Sequence, residues 1–321
     1  MSSGNVLITG ANGQIGSVLT RELRDRYGRN SIIASDIRDP DDLPEKEPFV
    51  HLDVLNQKAL YRVIEQYDIS QIYHLAAILS AKGEQMPRKT WEVNTGSLFN
   101  VLEAAREYDL KIFFPSSIAV FSHRSPSENT PQHTVLEPET VYGISKVAGE
   151  SWCQYFHDKF GVDVRSIRYP GIVGYQSPPG GGTTDYAVEI FYKAAQHEPY
   201  ECYLKPDTRL PMMYMTDAIR ATIEVMEAPA DAISIHTSYN LAGMSFTPEE
   251  LAQTIRKIVP NFTITYEPDF RQQIADSWPE SIDDHIARSD WNWAPAFDTE
   301  KMAEDMLAHI SDEFASVKSP T

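Results

Sequence analysis

The chain has 321 residues, 42% hydrophobic and 11% aromatic, which is enough to bury one large core or two intimate ones. Its net charge of −18 makes a soluble polyanion that repels phosphate backbones, and this argues against nucleic acid or an anionic membrane as partner. Two cysteines, Cys153 and Cys202, exclude a disulfide framework, and no cluster has metal-ligand spacing, so no metal is expected.

Met1-Ser2-Ser3-Gly4 runs straight into an apolar strand, without a basic region and long apolar segment behind it. No apolar run approaches the ~20 residues of a membrane span. A reducing, cytoplasmic setting is therefore expected.

Asn5–Thr9 (NVLIT) has the continuous apolar character of a buried strand, and 15–27 the spacing of an amphipathic helix. Strands are predicted at 31–35 and 49–53, a helix at 57–67, and a fourth strand at 71–76. A long helix over 88–108, a strand at 111–116, a helix over 142–160 and a sixth strand at 163–168 follow. Strand–helix alternation at this spacing specifies an α/β fold, a doubly wound parallel sheet with helices on both faces.

The rhythm then breaks. Residues 169–184 (YPGIVGYQSPPGGGTT) have the Gly and Pro content of a long ordered loop. Helices are expected over 185–196, 217–226 and 248–259, the last capped by Thr247, with a strand at 238–241. Residues 263–295 look irregular, and the polar tail from 311 looks frayed. The expected division is a nucleotide-binding domain, 1–175, and a smaller substrate-binding lid, 176–321, interleaved with it.

Gly10-Ala11-Asn12-Gly13-Gln14-Ile15-Gly16 joins the first strand to the first helix. Side chains at these glycines would obstruct a pyrophosphate, and the helix N-terminus supplies N–H groups and a favourable dipole. In this context the turn points to a dinucleotide, with Gly10, Asn12, Gly13, Gln14, Ile15 and Gly16 around its phosphates on a Rossmann-type sheet. Asp36 closes the second strand; a carboxylate there accepts both adenosine ribose hydroxyls and repels a 2′-phosphate, which favours NAD. Arg38 is a cation that could pair with such a phosphate, so NADP stays open on this ground. Asp53-Val54 is placed either to meet the adenine edge or as a strand-ending turn. Leu75-Ala76-Ala77 ends the fourth strand and leaves room for the cofactor's middle section.

A phenol with pKa about 10 is a poor base at neutral pH, and a neighbouring ammonium lowers that value. Tyr142 and Lys146, at i and i+4, share a helix face, and Lys146 can also reach the nicotinamide ribose hydroxyls. Ser117, at the end of the fifth strand, is placed to orient a substrate alcohol, since ligands bind at strand C-termini in such sheets.

With the glycine turn, Ser116-Ser117 and Tyr142-Gly143-Ile144-Ser145-Lys146 in this order, the chain resembles the extended short-chain dehydrogenase/reductase family over nearly its whole length. The resemblance implies Ser117, Tyr142 and Lys146 as the catalytic set. It places Asn94, within Val93-Asn94-Thr95-Gly96, and Ser116 near the cofactor. It implies that Tyr169, Pro170 and Ile172, within RYPGI, border the nicotinamide. Ser116 is the alternative catalytic serine; alignment through Ile118-Ala119-Val120-Phe121 favours Ser117. A homodimer built on the helices 88–108 and 142–160 is also implied, although the same apolar faces could cover the sheet.

Four segments are similar to a narrower group, the short-chain-type L-threonine 3-dehydrogenases: 115–121 (PSSIAVF), 169–190, 210–222 (LPMMYMTDAIRAT) and Asp290-Trp291-Asn292-Trp293. The implied reaction is oxidation of the threonine hydroxyl to give 2-amino-3-oxobutyrate, with Tyr142 as base and hydride passing to NAD. Gly182, Thr183, Thr184 and Ser80 could hold a carboxylate, and Thr184 could equally cap the following helix. Asp185 could meet an ammonium, and Trp278 either covers the site or belongs to the core. Two other readings remain. A nucleotide-sugar epimerase or dehydratase would need lid cations for a diphosphate, with Arg209, Arg220, Arg271 and Arg288 as candidates. A non-catalytic NAD sensor need not keep Ser117, Tyr142 and Lys146 together.

Overall fold

The computed structural model describes residues 4–40, 47–177, 179 and 182–317, with side chains described to residue 311. The N-terminal half builds β1 (Asn5–Thr9), α1 (Gln14–Tyr27), β2 (Ile32–Asp36), β3 (Phe49–His51), α2 (Gln57–Gln66) and β4 (Ile69–His74). It continues with α3 (Ser80–Gln85), α4 (Pro87–Tyr108), β5 (Lys111–Ser117), α5 (Val141–Phe160) and β6 (Val164–Tyr169). Apolar residues alternate across the strands. In β1, Val6 and Ile8 face the side covered by α1, and Leu7 faces the side covered by α2, α4 and α5. Both faces are therefore buried, as an all-parallel sheet requires.

The remaining elements are β7 (Gly171–Val173), α6 (Tyr186–Ala195), β8 (Tyr200–Cys202), β9 (Leu210–Tyr214), α7 (Met215–Glu227), β10 (Tyr239–Asn240), β11 (Met244–Phe246) and α8 (Pro248–Ile258). They end with β12 (Ile264–Tyr266), α9 (Arg271–Asp276), α10 (His285–Trp291) and α11 (Thr299–Val317). The central sheet runs β10-β6-β5-β4-β1-β2-β3, all parallel. The chain leaves β3 at one edge and re-enters at β4 beside β1. The order thus reverses between β1 and β4 and opens a crevice at their C-terminal ends. A β11-β9-β7 sheet and a β12-β8 pair form the smaller part. Its apolar core is made by α6, α8 and α11.

The expected loop over 169–184 contains β7, and 263–295 holds β12, α9 and α10 rather than irregular chain. The tail is helical through Val317. The strand at 238–241 is the central sheet's seventh, and α7 packs beside α1 beneath that sheet. Gly180 and Gly181 lie outside the described residues. Both cysteines are buried and free.

Candidate active site

The crevice is lined at one end by Gly10, Gly13, Gln14, Ile15 and Gly16, and at its middle by Leu75, Ala77, Ser116, Ser117, Tyr142 and Lys146. At the other end stand Ser80, Pro170, Ile172, Gly182, Thr183, Thr184, Asp185 and Trp278. Most of the residues expected from sequence thus converge on one cleft.

The glycine turn is tight for two reasons. Gly10 takes φ +73°, and a Cβ there would lie 2.7 Å from the Ala76 nitrogen. A Cβ on Gly16 would lie 2.2 Å from the Gly10 carbonyl. The obstacle at both positions is the protein's own backbone, not a ligand, and Gly13 alone of the three has no contact closer than 3.2 Å. Asp36 is buried at the end of β2 and accepts from the backbone N–H of Asn12 and of Arg38, each at 3.1 Å. Asn12 Nδ2 donates to the Arg38 carbonyl at 2.7 Å, which clips the glycine turn to the β2 end. The Arg38 side chain points out, its Nε 3.8 Å from Asp36.

Asp53 is exposed and its Oδ1 accepts from the Leu55 N–H at 3.0 Å, the turn-forming arrangement, with Val54 buried beside it. Asn94 stands behind the cleft. It accepts from Ile78 N at 2.8 Å and donates to the Ile78 carbonyl and to Ser145 Oγ, tying the chain after β4 to α4 and α5. Both serines line the cleft, but the Ser116 hydroxyl is spent on Glu150 Oε1 at 2.6 Å.

Thr140 caps α5 through the Gly143 N–H at 3.0 Å, and this fixes where Tyr142 leaves the helix. A Cβ on Gly143 would lie 2.1 Å from the Ala119 carbonyl, so this glycine lets α5 press against the end of β5. Tyr142 is hydrogen-bonded to Ser117. Burial raises its pKa to about 12, and the Ser117 bond pulls the other way. Lys146 is buried and donates to the Pro115 carbonyl at 2.6 Å, its Nζ 5.3 Å from the Tyr142 ring centre. Burial lowers its pKa to about 8. The expected lowering of Tyr142 by Lys146 is thus not present in this geometry, because the ammonium is turned onto a strand-end carbonyl. Tyr169 is buried with its hydroxyl on Thr222 Oγ1.

At the far end, Thr183 is 1% exposed and its Oγ1 has no partner. A buried hydroxyl left unpaired costs stability, and this one lies at the cleft wall. Gly182 N–H donates to Asp185 Oδ2 at 2.7 Å, and Tyr203 OH donates to the Gly182 carbonyl at 3.2 Å. The N-cap of α6 is Asp185, without a side-chain cap, so Thr184 does not cap it. Trp278 lines the cleft and also packs on two apolar clusters.

Among the described lining residues Lys146 is the one cation and Asp185 the one carboxylate. Arg209, Arg220, Arg271 and Arg288 do not line the cleft; they pair with Glu250, with Asp217 and Glu224, with Asp269 and with Asp284. Among the described residues no His, Cys, Asp and Glu group could hold a metal ion.

Together the parallel sheet, its glycine turn and a Ser–Tyr–Lys set at the switch point define a Rossmann-type protein built around a nucleotide cleft. The chain belongs to the NAD dependent epimerase/dehydratase family, which it matches over residues 6–242. It is 46% identical to an uncharacterized epimerase/dehydratase of Staphylococcus haemolyticus over 96% of this chain and 98% of that one. It is similar to the holo form of a GalE-like L-threonine dehydrogenase from Cupriavidus necator (55% identity, 95% and 99% of the chains, TM-score 0.93). It is also similar to a monomeric L-threonine 3-dehydrogenase from a metagenome (48% identity, 96% and 99%, TM-score 0.93).

Proposed function

We propose that this protein is an NAD-dependent L-threonine 3-dehydrogenase. The observation that carries the reading is one cleft joining the glycine turn, the Ser117–Tyr142–Lys146 set and the unpartnered Thr183 hydroxyl. The residues fit NAD: Gly13 leaves the turn open to a pyrophosphate, and the Asp36 carboxylate keeps lone pairs for ribose hydroxyls. The buried Asp36 carboxylate, with Arg38 Nε 3.8 Å from it, favours ribose hydroxyls and repels a 2′-phosphate. Bound NAD would supply the acceptor for hydride from C3 of threonine.

The chain's own groups do the rest. Ser117 holds the threonine hydroxyl oxygen and Tyr142, as phenolate, takes its proton. Lys146 swings from the Pro115 carbonyl toward the nicotinamide ribose, and its charge beside Tyr142 lowers the phenol from about 12. Thr183, Thr184 and Ser80 donate to the substrate carboxylate and Asp185 receives the ammonium. Pro170, Ile172 and Trp278 exclude water. The absence of cations besides Lys146 from the described cleft wall weighs against a nucleotide-sugar diphosphate as substrate. In this reading 1–175 holds the cofactor and the reacting groups, and 176–321 completes the amino-acid site.

Two free, buried thiols accord with a reducing, cytoplasmic setting, and among the described residues no helix is long and apolar enough to cross a membrane. The test is Tyr142→Phe. It abolishes turnover of threonine while NAD affinity, read by calorimetric titration, stays within a few-fold of wild type; a variant that turns over normally removes Tyr142 as the base.

A further inference from the structure

Two separate segments of the chain build the amino-acid end of the cleft: the Gly182–Asp185 turn, and the residues after α9 that carry Trp278. One side chain behind the cleft wall touches both. Gly182 N–H donates to Asp185 Oδ2 at 2.7 Å, and its carbonyl accepts from the Asp185 N–H at 3.3 Å, so the turn is closed on itself. From outside the turn, that carbonyl accepts from Tyr203 OH at 3.2 Å. Tyr203 follows β8 directly, is 6% exposed, and does not line the cleft. Its ring is held on two sides. The Tyr186 ring, in the first turn of α6, meets it at 88°, with centroids 6.4 Å apart. The Arg271 guanidinium carbon stands 3.1 Å from its centroid, a cation laid on the ring face. Arg271 opens α9 and is itself fixed, with Nη2 donating to Asp269 Oδ2 at 2.6 Å and Nε to both carboxylate oxygens at 3.0 Å. The Asp269 N–H returns to the Tyr203 carbonyl at 3.2 Å, which closes the clamp.

We propose that Tyr203, clamped by Arg271, is a positioning residue that holds the Thr183–Asp185 turn and the α9–Trp278 segment at one spacing, and so sets the affinity for the amino acid. This rests on the reading of that turn as the carboxylate and ammonium site given above. A small zwitterion needs its donors and its acceptor in place together, so slack in the turn weakens every contact at once. The turn belongs to the binding end of the cleft, whereas Ser117, Tyr142 and Lys146 stand on β5 and α5. Loss of the Tyr203 hydroxyl therefore acts on substrate binding and leaves the reacting groups and the glycine turn as they were.

Tyr203→Phe tests this in the full-length protein, because it keeps the ring and its stack on Arg271 and removes only the hydroxyl. KM for threonine rises about three- to tenfold, the worth of one hydrogen bond, while kcat stays within about twofold and NAD affinity by calorimetric titration is unchanged. Arg271→Met, at a side chain 19% exposed, takes the cation off the ring and raises KM in the same direction. Hydrogen–deuterium exchange of amides 182–188 is a second readout that needs no turnover, and it is faster in Tyr203→Phe than in wild type. An unchanged KM in a folded variant of an active enzyme overturns the proposal, whatever its melting temperature, and leaves Tyr203 a core residue; so does unchanged exchange in that segment. A wild type without threonine turnover, whose 182–188 amides still exchange faster in the variant, discards the threonine reading and keeps the positioning role.

Discussion

Gly16 is required by the fold before any ligand arrives. The sequence context assigns it to the pyrophosphate, yet the nearest obstacle to a side chain there is the Gly10 carbonyl. Gly16→Ala forces the turn open and costs about 1–3 kcal/mol of stability as overpacking against backbone. NAD affinity falls with it, because the N–H groups that face the phosphates move. Urea denaturation and NAD titration check this, and wild-type values in both would contradict it. At this scale the legible residues are those whose spacing carries geometry: Tyr142 and Lys146, the three glycines, and Asp36 at a strand end. Asp53 was left open between two roles, and its exposed Asx turn favours the structural one. Tyr203 was not legible, because a tyrosine beside a short apolar strand ordinarily reads as core, and its partners, Gly182 and Arg271, are neighbours only in the fold.

The helices α1, α4 and α5 and the central strands were placed from sequence within a residue or two, because they carry strong periodicity, whereas the 19-residue α11 was not predicted. Nor were the short elements: β12, α9 and α10 run three to seven residues, too few to establish a period. The outer face of α4 and α5 is apolar beyond what the sheet needs. Trp91 and Phe99 on α4, and Ile144, Trp152, Tyr155 and Phe160 on α5, are exposed. Phe99 and Trp152 meet edge to face, their centroids 5.2 Å apart. An exposed patch of this kind marks an interaction surface, and we propose that a two-fold pairing of these helices into a four-helix bundle covers it. A homodimer is therefore the expected state, although a similar threonine dehydrogenase is monomeric. Light scattering should find a dimer that Trp152→Glu splits into folded monomers; a monomeric wild type at micromolar concentration would contradict the bundle.

Over the whole molecule, the doubly wound sheet followed from strand–helix alternation, and the position of the cleft followed from the strand order. The return of β10 to the central sheet did not. It pairs with β6 some seventy residues after that strand, with α6, α7 and β9 in between, and no local pattern encodes so distant a pairing. That crossing brings Asn240 to Arg168, and Thr183, Asp185 and Trp278 of the 176–321 part line the same cleft as the glycine turn. The central claim is that this cleft oxidises threonine with NAD. Absorbance of reduced nicotinamide, followed with NAD and L-threonine beside NADP and threonine-free controls, tests it most directly. A signal that requires both threonine and NAD, and is far weaker with NADP, is the predicted result; folded protein that binds NAD yet gives no threonine-dependent signal would contradict it.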